Sequence, residues 1–362
     1  MSRKPKLKRF KENVSSKYQI YNSIFMTLPF DGISNTGVLL PLFSEICEKG
    51  YELDKNPSQI VHKFFERYVE QDKTEEEKIN LLFRFIQYIE RQVVLFDAVE
   101  DAAFPIVNNM DGRGTLRNIK EEAEEKHKME ALKTYLERFK IRPVLTAHPT
   151  QFYPGQVLGI ITDLAEAIEK DDLLTIKKLL AQLGKTPFFK KEKPTPYDEA
   201  VSLIWYLENV FYHSASKIYN YIQQNIFKDE ELDNQVIDLG FWPGGDRDGN
   251  PFVTTEITLK VAERLRSTIL LNYYRDIRKL KRRLTFEGVE KRLASLERML
   301  YDNVYLRKEE MLSLAAFEAE LKAIREIIVS DHQSLFSAEI DDLINKVKLF
   351  GYHFAMLDIR QD

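Results

Sequence analysis

Three short stretches carry residue types suited to work on an anion: RPVLTAHPTQ (142–151), VIDLGFWPGGDRDGN (236–250) and FGYHFAMLDIRQD (350–362). The second, extended to residue 254, holds four of the chain's fourteen glycines, two prolines and the charged run Asp246-Arg247-Asp248. Gly244, Gly245 and Gly249 permit positive φ and close approach of the backbone to a ligand. Successive bare N–H groups there can form a nest for phosphate or carboxylate. Arg247 adds a planar fork for the same anions, and Asp246 and Asp248 can orient that arginine, cap the next helix or approach a metal. Taken alone, the run equally suits a tight Gly-Asp turn before a helix, and it lacks the spacing of the Walker and dinucleotide motifs.

His148 stands between Ala147 and Pro149, where the proline favours an extended conformation, with Thr146, Thr150 and Gln151 as hydrogen-bonding neighbours. A histidine in that setting exchanges protons near neutral pH or carries positive charge beside an anionic reactant. The other histidines, at 62, 127, 213, 332 and 353, lack such company. Cys47 is the chain's one cysteine and no His-x-x-x-His pair occurs, so no zinc set is expected. In HFAMLDIR, a period of two sends Asp358 and Arg360 to one face, either as a structural ion pair or with the carboxylate holding the guanidinium ready for a phosphate.

The elements that must position these groups are mostly helical. Leu314, Phe317, Leu321, Ile324 and Ile328 fall at steps of three and four, one apolar stripe on a helix over 311–329. Ile176, Leu180 and Leu183 repeat the pattern from Leu173, with Gly184 where a left-handed C-terminal cap would sit. Thr254 or Thr255 is placed to cap a helix running to about Leu284. Further helices are expected near 35–49, 57–71, 75–103, 115–139, 156–170, 197–226 and 335–348, with KTPFFKKEKPTPYDEA (185–200) as a loop before a helix.

The three reactive stretches read as strands separated by long helical sequence. That alternation points to parallel strands within a mainly α chain, an incomplete (β/α)-barrel of TIM type with many extra helices. In such barrels the reactive groups sit at the carboxyl ends of the strands. The expected division is an N-terminal helical region, 1–140, and a barrel portion, 141–362. A parallel strand is normally followed by a covering helix, so a strand-like run ending at Asp362 suggests a chain cut out of something longer.

Composition bounds the function. The 362 residues are 44% hydrophobic and 30% charged, which places the chain in the globular class. A net charge of −4 supplies no basic field for a nucleic-acid partner. Apolar runs such as VLGII (157–161) are far too short to span a membrane. A single cysteine and no signal-like start point to the cytoplasm. MSRKPKLKRFK carries six Lys or Arg in eleven positions and reads as a solvated tail, and RDIRKLKRR (275–283) as a solvated helix face rather than an effector-phosphate or subunit-contact site.

VLTAHPTQ (144–151), FWPGGDRDGNPFVT (241–254) and FGYHFAMLDIRQD (350–362) resemble, in order and approximate spacing, three motifs from the N-terminal part of the phosphoenolpyruvate carboxylase family. KPTPYDEA (193–200) followed by YLENVFYHSASKI is similar to a fourth, less specific segment. The resemblance covers the chain from about residue 90 and corresponds to well under half of the family's length. It implies a barrel with extra helices, usually tetrameric, and Mg²⁺-dependent carboxylation of phosphoenolpyruvate by bicarbonate to give oxaloacetate and phosphate. It implies that His148 is the catalytic histidine and that Arg360 contacts the substrate phosphate. Trp242 then helps to form an apolar pocket around the substrate methylene and CO₂. Arg247 is implied to join in substrate binding, and Asp246, Asp248, Gly244 and Gly245 to shape the site.

Two departures accompany it. Where the family usually has a pair of arginines after TAHPT, this chain reads QFYPGQV (151–157). The family's metal-binding carboxylates, catalytic lysine and glycine-rich mobile loop match nothing in this chain, so Mg²⁺ ligands are expected beyond it and the chain alone is expected to be inactive. No phosphorylation motif like that of the plant enzymes occurs near Ser15 and Ser16. The competing readings are a non-catalytic helical, anion-binding regulator and a different phosphate-utilising barrel.

Overall fold

The computed structural model describes residues 4–28, 36–69, 73–146, 155–188, 194–228, 230–308 and 310–361. The chain is mainly helical and divides into two compact units, Met1–Met110 with Gln151–Lys191 and Asp111–Thr150 with Glu192–Asp362.

The first unit is built on one long helix, Glu75–Val107, opened by a capping box in which Thr74 and Glu77 satisfy each other's backbone N–H groups. Val94, Leu95, Ala98 and Val99 on it are fully buried with Val157, Ile160 and Leu164 of the helix Gly155–Glu169 and with Leu180 and Leu183 of the helix Leu173–Lys185. The apolar stripe expected from Leu173 is therefore a core face. Gly184 is not the cap, because it lies inside that helix and Thr186 follows as the C-terminal residue in an extended conformation. The helix end is satisfied from elsewhere: buried Arg91 donates to the carbonyls of Leu183 at 3.0 Å and Thr186 at 2.9 Å. A cation on those open carbonyls does what a left-handed glycine would otherwise do. The basic N-terminus is not a free tail either. Lys6–Phe10 is helical, and the Arg9 guanidinium bonds the carbonyl of Val107 at the end of the long helix.

In the second unit the helix Thr255–Arg283 is central. Val261, Leu265, Ile269, Tyr273, Ile277 and Leu280 recur along one face and are all 5% exposed or less. Thr254 caps it, accepting from the Ile257 N–H. The helix Leu314–Asp331 buries Phe317, Leu321, Ile324 and Ile328 completely, as the spacing requires. The helix expected over 115–139 is two, Leu116–Glu125 and Met129–Leu136, because His127 adopts a left-handed φ of 54° between them.

The strands are short and parallel: β1 (Val144–Leu145), β2 (Gly240–Phe241) and β3 (Met356–Leu357), in the order β1-β2-β3. Val144 is level with Gly240 and Gly240 with Met356. A further parallel bridge joins Asp246 to Arg360 past the strand ends. Among the described residues, no helix is long and apolar enough to cross a membrane.

Candidate functional site

Parallel register puts the carboxyl ends of the three strands on one edge of the sheet. The Trp242 N–H donates to the last carbonyl of β1, Leu145, at 2.9 Å, and the Asp358 N–H donates to Phe241 at 2.9 Å. The chain then turns sharply, with the N–H groups of Gly245 and Asp246 both returning to the Trp242 carbonyl at 2.8 and 2.9 Å. Arg360 is held against this turn by two backbone bonds. Its N–H donates to Gly245 at 3.1 Å, and its carbonyl accepts from Arg247 at 2.9 Å.

Two glycines make that approach possible. Gly244 has φ +82°, and a Cβ there would lie 2.6 Å from the Val261 side chain. At Gly245 a Cβ would fall 2.2 Å from the carbonyl oxygen of Asp358, an impossible separation against rigid backbone. Alanine at 245 must therefore push β3 away from the turn. We expect it to cost about 1–3 kcal/mol, the range for overpacking a filled interior, read as a lower urea midpoint.

The Trp242 and Arg360 side chains come together, with partners other than those the sequence suggested. The Arg360 guanidinium sits over the Trp242 ring at 4.5 Å and pairs with Asp246 at 3.0 Å, while Asp248 lies 3.5 Å from its other end. Stacking on an indole and pairing with a carboxylate both use the flat face and the fork that distinguish arginine from lysine. The Asp246 side chain is 12% exposed and that of Arg360 43%, so the carboxylate is set in the wall and part of the fork is open to solvent. Asp246 also accepts from the Asp248 N–H at 3.2 Å. The acidic pair thus orients Arg360 rather than its neighbour Arg247.

Arg247 turns the other way, toward the hydroxyls of Thr255 at 3.5 Å and Thr258 at 3.3 Å and toward Gln361 at 3.3 Å. Thr258 in turn donates to the Gly244 carbonyl at 2.6 Å, tying the loop to the first turn of the helix Thr255–Arg283. Asp358 does not hold Arg360. Its carboxylate accepts from the indole N–H of Trp242 at 3.2 Å. Thr255, Thr258, Gln361 and this use of Asp358 escaped the sequence reading. The one available signal was that Thr258 lies one turn after the cap Thr254, on the side facing the glycines.

His148, Thr150 and Gln151 lie outside the described residues. In the sequence His148 follows the end of β1 by three positions. Among the described residues no group of three or more His, Cys, Asp or Glu is arranged to hold a metal ion. Asp246 and Asp248 are both engaged by Arg360, so among the described residues these two carboxylates are not arranged to take Mg²⁺.

The family profile described as phosphoenolpyruvate carboxylase matches residues 66–312. Similar curated proteins are the phosphoenolpyruvate carboxylases of Shewanella loihica, 29% identical over 275 residues, and Shewanella sediminis, 30% identical over 275 residues. Each match covers 63% of this chain and 31% of the relative. The protein of the same name from Aeromonas salmonicida is 28% identical over 264 residues, 60% of this chain and 30% of its own length. The chain therefore spans less than a third of the length of these relatives. With the family profile covering the glycine turn, Trp242 and the stretch around His148, the chain belongs to the phosphoenolpyruvate carboxylase family.

Proposed function

We propose that this chain supplies the phosphate-holding part of a phosphoenolpyruvate carboxylase active site, built on the first strands and helices of a (β/α)-barrel whose remaining units correspond to the rest of the relatives' length. The observation that carries the reading is the Arg360 guanidinium stacked on Trp242 and braced by Asp246 at the carboxyl ends of β2 and β3. An open fork beside an apolar ring suits a small phosphorylated acid, with the phosphate on the guanidinium and the methylene against the indole.

In the proposed reaction the phosphoryl group leaves the enol oxygen of phosphoenolpyruvate for a bicarbonate oxygen, giving carboxyphosphate and the enolate of pyruvate. Carboxyphosphate then breaks its C–O bond to release CO₂ and phosphate, and the enolate carbon attacks CO₂ to form oxaloacetate. Arg360 offsets charge on the phosphate oxygens as it shifts during transfer. Trp242 keeps water from the enolate, which would otherwise take a proton and become pyruvate. Arg247 adds positive field and braces the loop beneath Arg360, while Gly244, Gly245, Asp246 and Asp248 give that loop its shape. His148 manages a proton or steadies carboxyphosphate as it decomposes. The Mg²⁺ that the family implies would be held by residues outside those described. A homotetramer acting in the cytoplasm is part of the same proposal.

The test is bicarbonate-dependent conversion of phosphoenolpyruvate to oxaloacetate by the full-length gene product. Exchanging His148 for asparagine is expected to lower that rate by at least about a hundredfold, the lower end for a positioned acid–base group. Phosphate binding without any oxaloacetate would favour the non-catalytic, anion-binding reading, and wild-type turnover by His148→Asn would remove the histidine from the chemistry.

A further inference from the structure

Asp358 is one residue past β3 and takes no direct part in gripping Arg360, yet its position is tightly determined. Its N–H is bound to Phe241 at 2.9 Å, and its carbonyl oxygen occupies the space that a side chain at Gly245 would need. The backbone of Trp242 is equally fixed through Leu145. With both backbones held, the freedom left to the indole is rotation about its own side-chain bonds, and the bond from Nε1 to Asp358 Oδ2 at 3.2 Å removes it. The ring so oriented is the surface on which the Arg360 guanidinium lies, 4.5 Å from its centre.

We propose that Asp358 is a positioning residue that acts through Trp242: it sets the plane of the indole and thereby the direction in which the Arg360 fork meets a phosphate. The effect has an electronic part as well. A carboxylate accepting the indole N–H pushes electron density into the ring and strengthens its attraction for a cation on its face. Asp246, Arg360, Trp242 and Asp358 then form one chain of contacts from the β2 side of the turn to the end of β3. The proposal rests on the carboxylase reading for its kinetic consequence but not for its geometry.

The two are separated by two measurements. In the ¹⁵N-labelled chain the indole N–H resonances of Trp205 and Trp242 are assigned with Trp242→Phe. Asp358→Ala is expected to move the Trp242 signal upfield, and Asp358→Asn, which keeps an acceptor oxygen, to leave it near its original place. In the full-length gene product Asp358→Ala is expected to raise KM for phosphoenolpyruvate about tenfold with a smaller change in kcat, the size of one hydrogen bond to a charged group. Asp358→Asn should restore most of that loss, and Asp358→Ala combined with Trp242→Phe should be no worse than the poorer single variant. An unmoved Trp242 resonance in Asp358→Ala, or single effects that multiply in the double variant, would overturn the proposal. If Asp358→Ala does not fold, Asp358→Asn and Trp242→Phe probe the same bond, and a normal KM in Trp242→Phe overturns it. Absence of any carboxylase activity in the wild type would sink the functional reading and leave the indole resonance to decide this one.

Discussion

Glutamine in place of Arg360 is expected to lower kcat/KM for phosphoenolpyruvate in the full-length gene product by about 10³–10⁴. Loss of a positioned donor to developing charge accounts for about 10²–10³ of this. The remainder comes from what is left behind. Asp246, set in the wall at 12% exposure, and Asp248 both lose their counter-charge and then face an anionic substrate. Like charges at such range in a partly excluded site cost about another tenfold. The protein should still fold, since the pair is open to solvent on its arginine side and Asp246 keeps its bond from the Asp248 N–H. Lysine at 360 keeps the charge but not the fork or the flat face on Trp242, and should fall between glutamine and wild type. Adding Asp246→Asn to Arg360→Gln should recover part of the loss by removing the uncompensated carboxylate. Steady-state kinetics decide the matter: a glutamine variant within threefold of wild type would show that Arg360 does not grip the substrate.

The largest stability effect is expected at Lys346, which takes no part in the contacts around Arg360. Its side chain is 7% exposed and bridges Asp276 at 2.8 Å and Asp342 at 2.7 Å, with its ammonium 4.6 Å from the ring centre of Tyr212. Tyr212 donates its hydroxyl to Asp276 at 2.9 Å, and Ser216 and Asn220 donate to Asp342. Methionine at 346 fills similar space but leaves Asp342 without a cation and the mostly enclosed Asp276 with only the exposed Lys279 at 3.4 Å. The expected loss is about 3–5 kcal/mol, as for other buried pairs stripped of one partner. That is a large share of a domain's total of about 5–15 kcal/mol. Urea denaturation of the wild-type and Lys346→Met chains measures it, and a loss under about 1 kcal/mol would mean that water already screens the cluster.

The pH dependence of this cluster has a definite sign. Burial by itself would raise the Asp342 carboxyl, but the bonds and charge of Lys346, then Ser216 and Asn220, outweigh it and hold the group below its ordinary value of 3.8. Burial would likewise lower Lys346, and the charge and hydrogen bond of Asp276, followed by Asp342, hold it above 10.5. A depressed acid contributes stability above its unfolded value that is lost as pH falls through the folded one. A raised base contributes below its unfolded value and loses the contribution as pH rises through the folded one. The contribution of these two groups is therefore flat between 3.8 and 10.5 and fails outside that window.

How much of this was readable beforehand follows from how local each cause is. The stripe of Phe317, Leu321, Ile324 and Ile328 and the cap at Thr254 depend on residues within a turn or two of one another, and spacing alone reveals them. The parallel pairing of the three strands was legible too, since alternation of strands with long helices implies it, and parallel pairing places like ends together. The split near His127 was hidden because the 115–139 stretch shows no glycine or proline between its two helices. Gly184 misled for a related reason: its cap was supplied by Arg91, ninety-two residues earlier in the chain than Leu183.

At the site itself the sequence determined which groups are present, namely Trp242, the Asp246-Arg247-Asp248 run, Asp358 and Arg360, and that Asp358 and Arg360 are two residues apart in the extended stretch that follows β3. Which group holds which was decided only by the fold. Asp358 takes the indole rather than the nearby arginine, Arg360 takes Asp246, and Arg247 takes the threonines of the next helix. The reason is that a side chain bonds the group that register and close backbone approach bring within about 3 Å. Here that approach is set by strand pairing across more than a hundred residues and by the missing side chain at Gly245.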